Sequence, residues 1–375
     1  MKTEIPIIVE TPERWYNKEM NNLIEVISTG GTIDSFFNKK QDKIQPLKKS
    51  VLPSYFEDIV RIKPDCMYYE LCMKDSRDFD LEKDTDALIT HIRSSVASYF
   101  LVTIGTFAMP DVALQISKAY DWKSLNKTII FSGAMCPMQG FLESDAGFNL
   151  GYALTQFRIQ NESPVLLSMN AEATKAGQVA KDLRTGNFRP VNIREITEKN
   201  LQSPIHIICT GGSMDTRYDG LDGVSLHDQS QVVHYLRSLE LHKKMSFTEL
   251  KELKHSYELS KKDFSYILQS IKESPHKNII ITMGTYSIEK FSKYLQQHSS
   301  SIKEKKIVLT GSRYTLSHDD ITDATFNLGY SIGAINELKN GVHIAMSGDI
   351  IPPEKFLETL YTPDELATIK ARLKS

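Results

Sequence analysis

Cysteine is scarce in this 375-residue chain: Cys66, Cys72, Cys136 and Cys209 are its four, and none stands at paired metal-ligand spacing. A disulfide framework and a cysteine-based metal site are both disfavoured, so the thiols read as small core hydrophobes in a protein of the reducing cytoplasm. Long apolar runs are missing too. Stretches such as 129–131 and 279–281 fall far short of the roughly 20 residues that cross a bilayer, so no membrane partner is expected. Neither sign of charge is in excess. The 45 basic residues against 47 acidic ones leave a formal net charge of −2, and no field of that size gathers nucleic acid or anionic lipid. The ten histidines contain no His-x-x-x-His pair and no phosphate-cradling Gly-x-x-x-x-Gly-Lys-Ser/Thr loop occurs, so neither a metal nor a nucleotide cofactor is expected. At the amino terminus, Glu4, Glu10 and Glu13 interrupt the apolar stretch, which breaks the h-region a secretory signal needs. The segment reads as mature sequence.

What the chain does have is a repeat. With 41% hydrophobic residues its length can bury two ordinary cores, and the same ordered set of segments occurs twice. Val-Ile-Ser-Thr-Gly-Gly-Thr-Ile-Asp at 26–34 returns as Ile-Ile-Cys-Thr-Gly-Gly-Ser-Met-Asp at 207–215. Leu-Val-Thr-Ile-Gly-Thr-Phe at 101–107 returns as Ile-Ile-Thr-Met-Gly-Thr-Tyr at 280–286, and Phe-Asn-Leu-Gly-Tyr occurs at both 148–152 and 326–330. The offset is 181 from Thr29 to Thr210, 179 from Gly105 to Gly284 and 178 from Phe148 to Phe326. Constant order and offset mark a tandem duplication. The expected organisation is an N-terminal extension at 1–21, copy one at 22–182, a polar connector at 183–202 and copy two at 203–375.

Within each copy, β-branched runs (24–28, 100–104, 128–131 and 165–169 in the first) alternate with helical stretches such as 85–98 and 109–120. That alternation predicts an α/β fold, two tandem copies of an open, mostly parallel sheet with helices on both faces. Ligands of such sheets sit beyond the carboxyl ends of the strands, where the glycine-containing motifs fall.

The motifs resemble those of the L-asparaginase superfamily, in particular its small single-domain members. The family's Thr-Gly-Gly-Thr-Ile-Asp stands at 29–34, Lys-Asp-Ser-x-Asp at 74–78, Thr-Gly-Ala-Met-x-Pro at 132–137 with Ser132 in first place, and Ser-Asp-Ala-x-Phe-Asn-Leu-Gly at 144–151. An ungapped count from 168–170 puts Lys181 on the family lysine. The resemblance implies hydrolysis of a side-chain amide through an acyl-enzyme, with Thr32 as nucleophile, Thr106 activating it or water, and Lys181 supporting Thr106. Backbone amides near Thr106 and Phe107 are the expected oxyanion donors. Gly31, Ser76, Arg77, Asp78, Gly105 and Phe107 are the expected substrate-binding positions.

Where the family has Thr-His-Gly-Thr-Asp-Thr, 103–108 reads Thr-Ile-Gly-Thr-Phe-Ala. Phe107 thus replaces the aspartate that would hold the substrate's ammonium group and orient the lysine, leaving Lys181 protonated or reliant on Asp78 or Asp182. Arg77 falls where the small family members are usually apolar, and its guanidinium can grip a carboxylate. Copy two has Ser213 for the first threonine, Tyr286 for the aspartate and, by an ungapped count, Glu358 for the lysine, so copy one is the expected seat of catalysis. Three functions stay open: an amidohydrolase or deamidase acting on a small-molecule or protein side-chain amide other than free L-asparagine, a ligand-binding pseudoenzyme, and a hydrolase of another polar bond in a larger aromatic-containing substrate. The two copies are expected to pack as an intramolecular pseudo-dimer, with further homo-oligomerisation open.

Overall fold

The computed structural model describes residues 23–38, 40–140, 143–159, 163–181, 188–190, 203–218, 224–239, 241, 243–316 and 321–372. The N-terminal extension, Asp182 and all of the connector except 188–190 lie outside the described residues.

Copy one contains β1 (Ile24–Gly30), β2 (Ser35–Asn38), β3 (Lys43–Pro46), a short helical segment over 52–60, β4 (Cys66–Lys74), α1 (Lys83–Ser94), β5 (Tyr99–Thr103), α2 (Met109–Ala119), β6 (Thr128–Ser132), α3 (Ala146–Thr155), β7 (Val165–Met169), β8 (Glu172–Lys175), β9 (Val179–Lys181) and β10 (Phe188–Pro190). Its main sheet runs β4-β1-β5-β6-β7-β8, with every neighbour parallel except the β7–β8 pair. The strands read as near-continuous apolar runs because both faces are covered. Ile27, Val102 and Phe131 face α1 and α2, which contribute Leu88, Ile92, Val112 and Ile116 to that core. Val26, Leu101 and Ile130 face the opposite side, where α3 lies. Helices α1 and α2 occupy 83–94 and 109–119, against expected spans of 85–98 and 109–120; α1 stops early because Ser95 turns extended.

Copy two repeats this plan with β11 (Ile205–Gly211), β12 (Thr216–Tyr218), β13 (Val224–Leu226), α4 (Gln231–Ser238), β14 (Met245–Lys254), α5 (Lys261–Glu273), β15 (Asn278–Thr282), α6 (Thr285–Gln297), β16 (Lys306–Thr310), α7 (Asp323–Ala334), β17 (Gly341–Met346), β18 (Asp349–Ile351), α8 (Phe356–Leu360) and α9 (Pro363–Arg372). Its sheet order, β14-β11-β15-β16-β17-β18, matches that of copy one position for position. The fold is therefore the expected one: two tandem, mostly parallel open sheets with helices on both faces.

The copies share one core. Phe148 and Leu150 of α3 are buried in the same apolar cluster as Phe326 and Leu328 of α7. Glycine permits the close approach: a Cβ on Gly151 would lie 2.1 Å from the Phe326 carbonyl oxygen, and one on Gly329 would lie 2.0 Å from that of Phe148. Polar contacts across the boundary are reciprocal as well. The Tyr55 hydroxyl donates to the Thr322 carbonyl at 3.1 Å, and Tyr235, its counterpart, donates to the Ser144 carbonyl at 2.9 Å. Making one contact twice with roles exchanged is the signature of a two-fold arrangement. Among the described residues no helix is long and apolar enough to cross a membrane.

Candidate functional site

The carboxyl ends of β1, β4 and β5 converge through backbone approaches that only glycine allows. Gly30 and Gly31 have φ of 89° and 75°, a region costly for residues with a Cβ. The Gly31 N–H donates to the Lys74 carbonyl at 2.8 Å, and a Cβ on Gly31 would fall 2.4 Å from the Gly105 nitrogen. A Cβ on Gly105 would in turn meet the Ser76 side chain at 2.3 Å. These contacts stack three of the motifs, so Thr32 and Thr106 each follow a glycine at the point where β1 and β5 touch. The Thr29 hydroxyl, donating to the Thr103 carbonyl at 3.0 Å, ties the same two strand ends together. Thr32 is half-buried, at the start of a single 3-10 turn, Thr32–Asp34.

Lys181, the last residue of β9, reaches this point: its Nζ lies 2.6 Å from the Thr106 Oγ1. Burial lowers the Lys181 pKa, and the Arg77 guanidinium lowers it further. No carboxylate pairs with Lys181 among the described residues. Asp78, one of the two acids expected to replace the lost aspartate, is exposed and makes no ion pair with it; the other, Asp182, lies outside the described residues. A lysine in such surroundings sheds its proton more readily than one in water, and Thr106 is the group it can act on. The Thr106 hydroxyl also points to the Met135 sulfur at 3.7 Å.

Phe107 is 51% exposed at the rim, so its ring is open to a ligand. Its backbone corrects one expectation. The Phe107 N–H donates to the Ser76 Oγ at 3.0 Å and the Ala108 N–H to the same oxygen at 3.1 Å, so the Phe107 amide is already committed and is not a free oxyanion donor. Ser76 thus caps the turn leading into α2. Arg77 and Asp78 are exposed in the following turn, where the Asp75 carboxylate accepts the Arg77 N–H at 3.0 Å. Among the described residues no group of three or more His, Cys, Asp and Glu side chains is placed to hold a metal ion.

Two buried carboxylates frame the site, and no role for them was read from the sequence. Asp34 accepts from the Ser50 hydroxyl at 2.9 Å and the Val51 N–H at 2.9 Å, and burial pushes its pKa up to about 6. Asp145 accepts from the amides of Met135 and Cys136 and from the Asn149 side-chain amide, which also donates to the Gly133 carbonyl. Asp215 and Asp323 repeat both arrangements in copy two. The available signal was the recurrence of each acid at the same place in both copies.

Copy two diverges where the lysine stands. Thr285 Oγ1 lies 2.6 Å from the hydroxyl of Tyr361, whereas Glu358 is exposed on α8 and is not the counterpart of Lys181. Burial pushes the Tyr361 pKa up to about 12, so near neutral pH this group keeps its proton and cannot serve as a base. Arg313, in the place of Met135, donates to the carbonyls of Val60 and Leu360 at 3.2 and 3.0 Å. The chain's own C-terminal segment is thereby fastened over the position Lys181 holds in copy one.

The sequence profile of the asparaginase N-terminal domain matches residues 23–198 and again 204–359. The chain belongs to the asparaginase family. Its two family segments account for both copies, and at family level it is an amide hydrolase acting on a C–N bond. Among solved structures it is similar to the L-asparaginase I of Vibrio cholerae, at 14% identity over 94% of this chain and 97% of that one, with a TM-score of 0.37. The thermostable L-asparaginase of Thermococcus kodakarensis matches at 13% identity over 88% and 99%, with a TM-score of 0.37. A probable cytoplasmic L-asparaginase from Campylobacter jejuni matches at 15% over 70% and 83%, with a TM-score of 0.34. No curated protein sequence matches the chain.

Proposed function

We propose that copy one hydrolyses a carboxamide other than free L-asparagine through a threonine-bound acyl-enzyme. The observation that carries this reading is the 2.6 Å contact between Lys181 and Thr106, beside the turn that bears Thr32, with the lysine pKa lowered. The Thr32 oxygen attacks the amide carbon, its proton passing through Thr106 to the unprotonated fraction of Lys181, which the lowered pKa enlarges. Collapse of the tetrahedral intermediate breaks the C–N bond, and the departing nitrogen takes the proton held by Lys181 and leaves as ammonia. Water, deprotonated by the same pair, then cleaves the ester and leaves the carboxylic acid and free Thr32. Copy two serves as scaffold, and the reciprocal contacts across α3 and α7 support its reading as the intramolecular counterpart of a homodimer partner. Free thiols at all four cysteines support a reducing, cytoplasmic setting.

Phe107 favours a different substrate from free asparagine, because an ammonium group buried beside it would have no anion. An unpaired buried charge costs several kcal/mol, which is roughly a thousandfold in binding. Ammonia release should therefore be measured over a panel of free, N-acylated and peptide-borne asparagine and glutamine. The expected result is turnover of a blocked amide and little of free asparagine; efficient turnover of free asparagine would refute the reading. The missing acid beside Lys181 also favours the pseudoenzyme alternative, which ligand binding without ammonia release from any amide would establish. The exposed Phe107 ring is the observation behind the third reading, a larger aromatic-containing substrate.

A further inference from the structure

We propose that the amino edge of the copy-two sheet is an acid-sensitive latch: a proton taken up by His206 opens the turn at 274–277, while the matching edge of copy one, built around Glu25, stays closed. This edge lies at the opposite end of the strands from Thr32 and Thr106, so the latch stands apart from the amide-hydrolase reading. One side chain is exchanged there in an otherwise repeated arrangement. In copy one the Lys127 ammonium donates to the carbonyls of Ser95 and Ala97 at 2.9 and 3.0 Å, stapling the turn between α1 and β5. In copy two Lys305 does the same to the carbonyls of Ser274 and His276, at 2.6 and 2.9 Å. The second residue of β1 is the buried Glu25, with the His91 Nε2 2.6 Å from one carboxylate oxygen and the Ser95 hydroxyl donating to the other. The second residue of β11 is His206, equally buried.

No element packed against His206 offers it an anion. On β14 its register partner is Ser246, and its Nε2 lies 2.9 Å from the Thr248 Oγ1; on β15 its register partner is Ile279. From the turn, the His276 ring stands edge-on with centroids 6.5 Å apart, and the Lys305 ammonium is bonded to the carbonyl of that same residue. Glu273, the acid next to the turn in sequence, accepts from Gln269 on the exposed side of α5. The His206 Nδ1 is buried and has no hydrogen-bond partner. A neutral ring suits these surroundings. A protonated ring carries two N–H donors, one of them without an acceptor, and sets a further positive charge beside Lys305 in a buried place. Burial, then His276 and Lys305, lower the His206 pKa accordingly. The opened turn therefore holds more protons than the closed one. The latch is at full strength above the ordinary histidine value of 6.5 and weakens as the pH falls below it.

Copy one answers the same fall in pH differently, because a proton on His91 meets the Glu25 carboxylate. The buried aspartates recur in both copies, Asp34 with Asp215 and Asp145 with Asp323, each with its pKa raised by burial, so they cancel when the copies are compared. His343, the other buried histidine among the described residues, keeps an acceptor for its proton in the Lys339 carbonyl at 3.0 Å.

The turns carry matching reporters: the amides of Ser274 and His276 donate to the Ser270 carbonyl and the Ser274 hydroxyl, as those of Ser95 and Ala97 donate to the His91 carbonyl and the Ser95 hydroxyl. Hydrogen exchange of the full chain, read by mass spectrometry and expressed as protection relative to the unstructured rate at each pH, compares the two turns in one molecule. Between about pH 7.5 and about pH 5, protection at 274–277 is expected to fall about tenfold, and at 95–98 by less than about twofold. The ceiling is about thirtyfold, the ratio of protonated to neutral histidine at about pH 5 for an ordinary pKa. His206→Gln, polar but unable to take a proton, and His206→Glu, which installs the copy-one residue, should each abolish the fall. No fall in the unmodified chain, an equal fall at both turns, or a fall that persists in a folded His206 variant overturns the proposal. The comparison within the unmodified chain decides the matter even if neither variant folds.

Discussion

Among the described residues Lys181 has no counter-ion, and both influences on it act in one direction. Burial and Arg77 disfavour its charged form, so the neutral, proton-accepting form extends to lower pH than for a lysine in water. Removing the guanidinium in Arg77→Leu withdraws one of them and raises the lysine pKa. The acidic limb of the kcat/KM profile, which reports the free enzyme's base, should move to higher pH in that variant, whatever happens to KM. A limb that stays put or moves to lower pH would show that another group is the base. At this scale the sequence was informative where the two copies stay in phase. Thr32, Thr106 and Lys181 were singled out by motif and ungapped count, and of these Thr106 and Lys181 lie in hydrogen-bond contact. The same count failed at Glu358 because copy two leaves β18 through a 3-10 turn into α8 where copy one continues to β9, and Tyr361, three positions later, lies opposite Thr285. The Phe107 amide was misjudged for a different reason: Ser76, remote in sequence, occupies it.

Among the elements, strand ends carry the specificity of the design. Gly31 combines a φ of 75° with a Cβ position 2.4 Å from backbone of β5's own extension, so it can neither relax its dihedral cheaply nor push a flexible side chain aside. Gly31→Ala should destabilise the protein by at least about 2 kcal/mol, read as a drop in the denaturant midpoint at unchanged m-value. Gly140→Ala, where a Cβ meets nothing within 4 Å, is the control and should leave the midpoint nearly unchanged. Equal midpoints for the two variants would mean that the convergence of β1 and β5 is looser than described. The parallel strands were legible because each is an apolar run flanked by helical periodicity. The hairpin of β2 and β3 was not: Lys43–Pro46 is mostly exposed and polar, and carries no alternation that separates it from a loop. Antiparallel β8 and β18 were missed as well, because they are three or four residues long and follow a tight turn after the preceding strand.

For the molecule as a whole, duplication gives two halves that share one apolar core. The shared core around α3 and α7 and the paired Tyr55 and Tyr235 contacts treat the copies alike, whereas the lysine position treats them differently. The fold was therefore readable from the repeat, while the functional asymmetry needed the tertiary contacts of Lys181 and Tyr361. In the proposed mechanism copy one pairs its second threonine with a base, Lys181, whereas the described partner of Thr285 in copy two is the Tyr361 hydroxyl. The most direct test is kcat/KM for folded Thr32→Ala, Thr106→Ala, Ser213→Ala and Thr285→Ala variants on one turned-over amide. Loss of a nucleophile or its activator removes transition-state stabilisation, so the two copy-one variants should fall by at least about a hundredfold, with Ser213→Ala and Thr285→Ala close to the unmodified protein. Equal losses in both halves, or losses confined to copy two, would contradict the account.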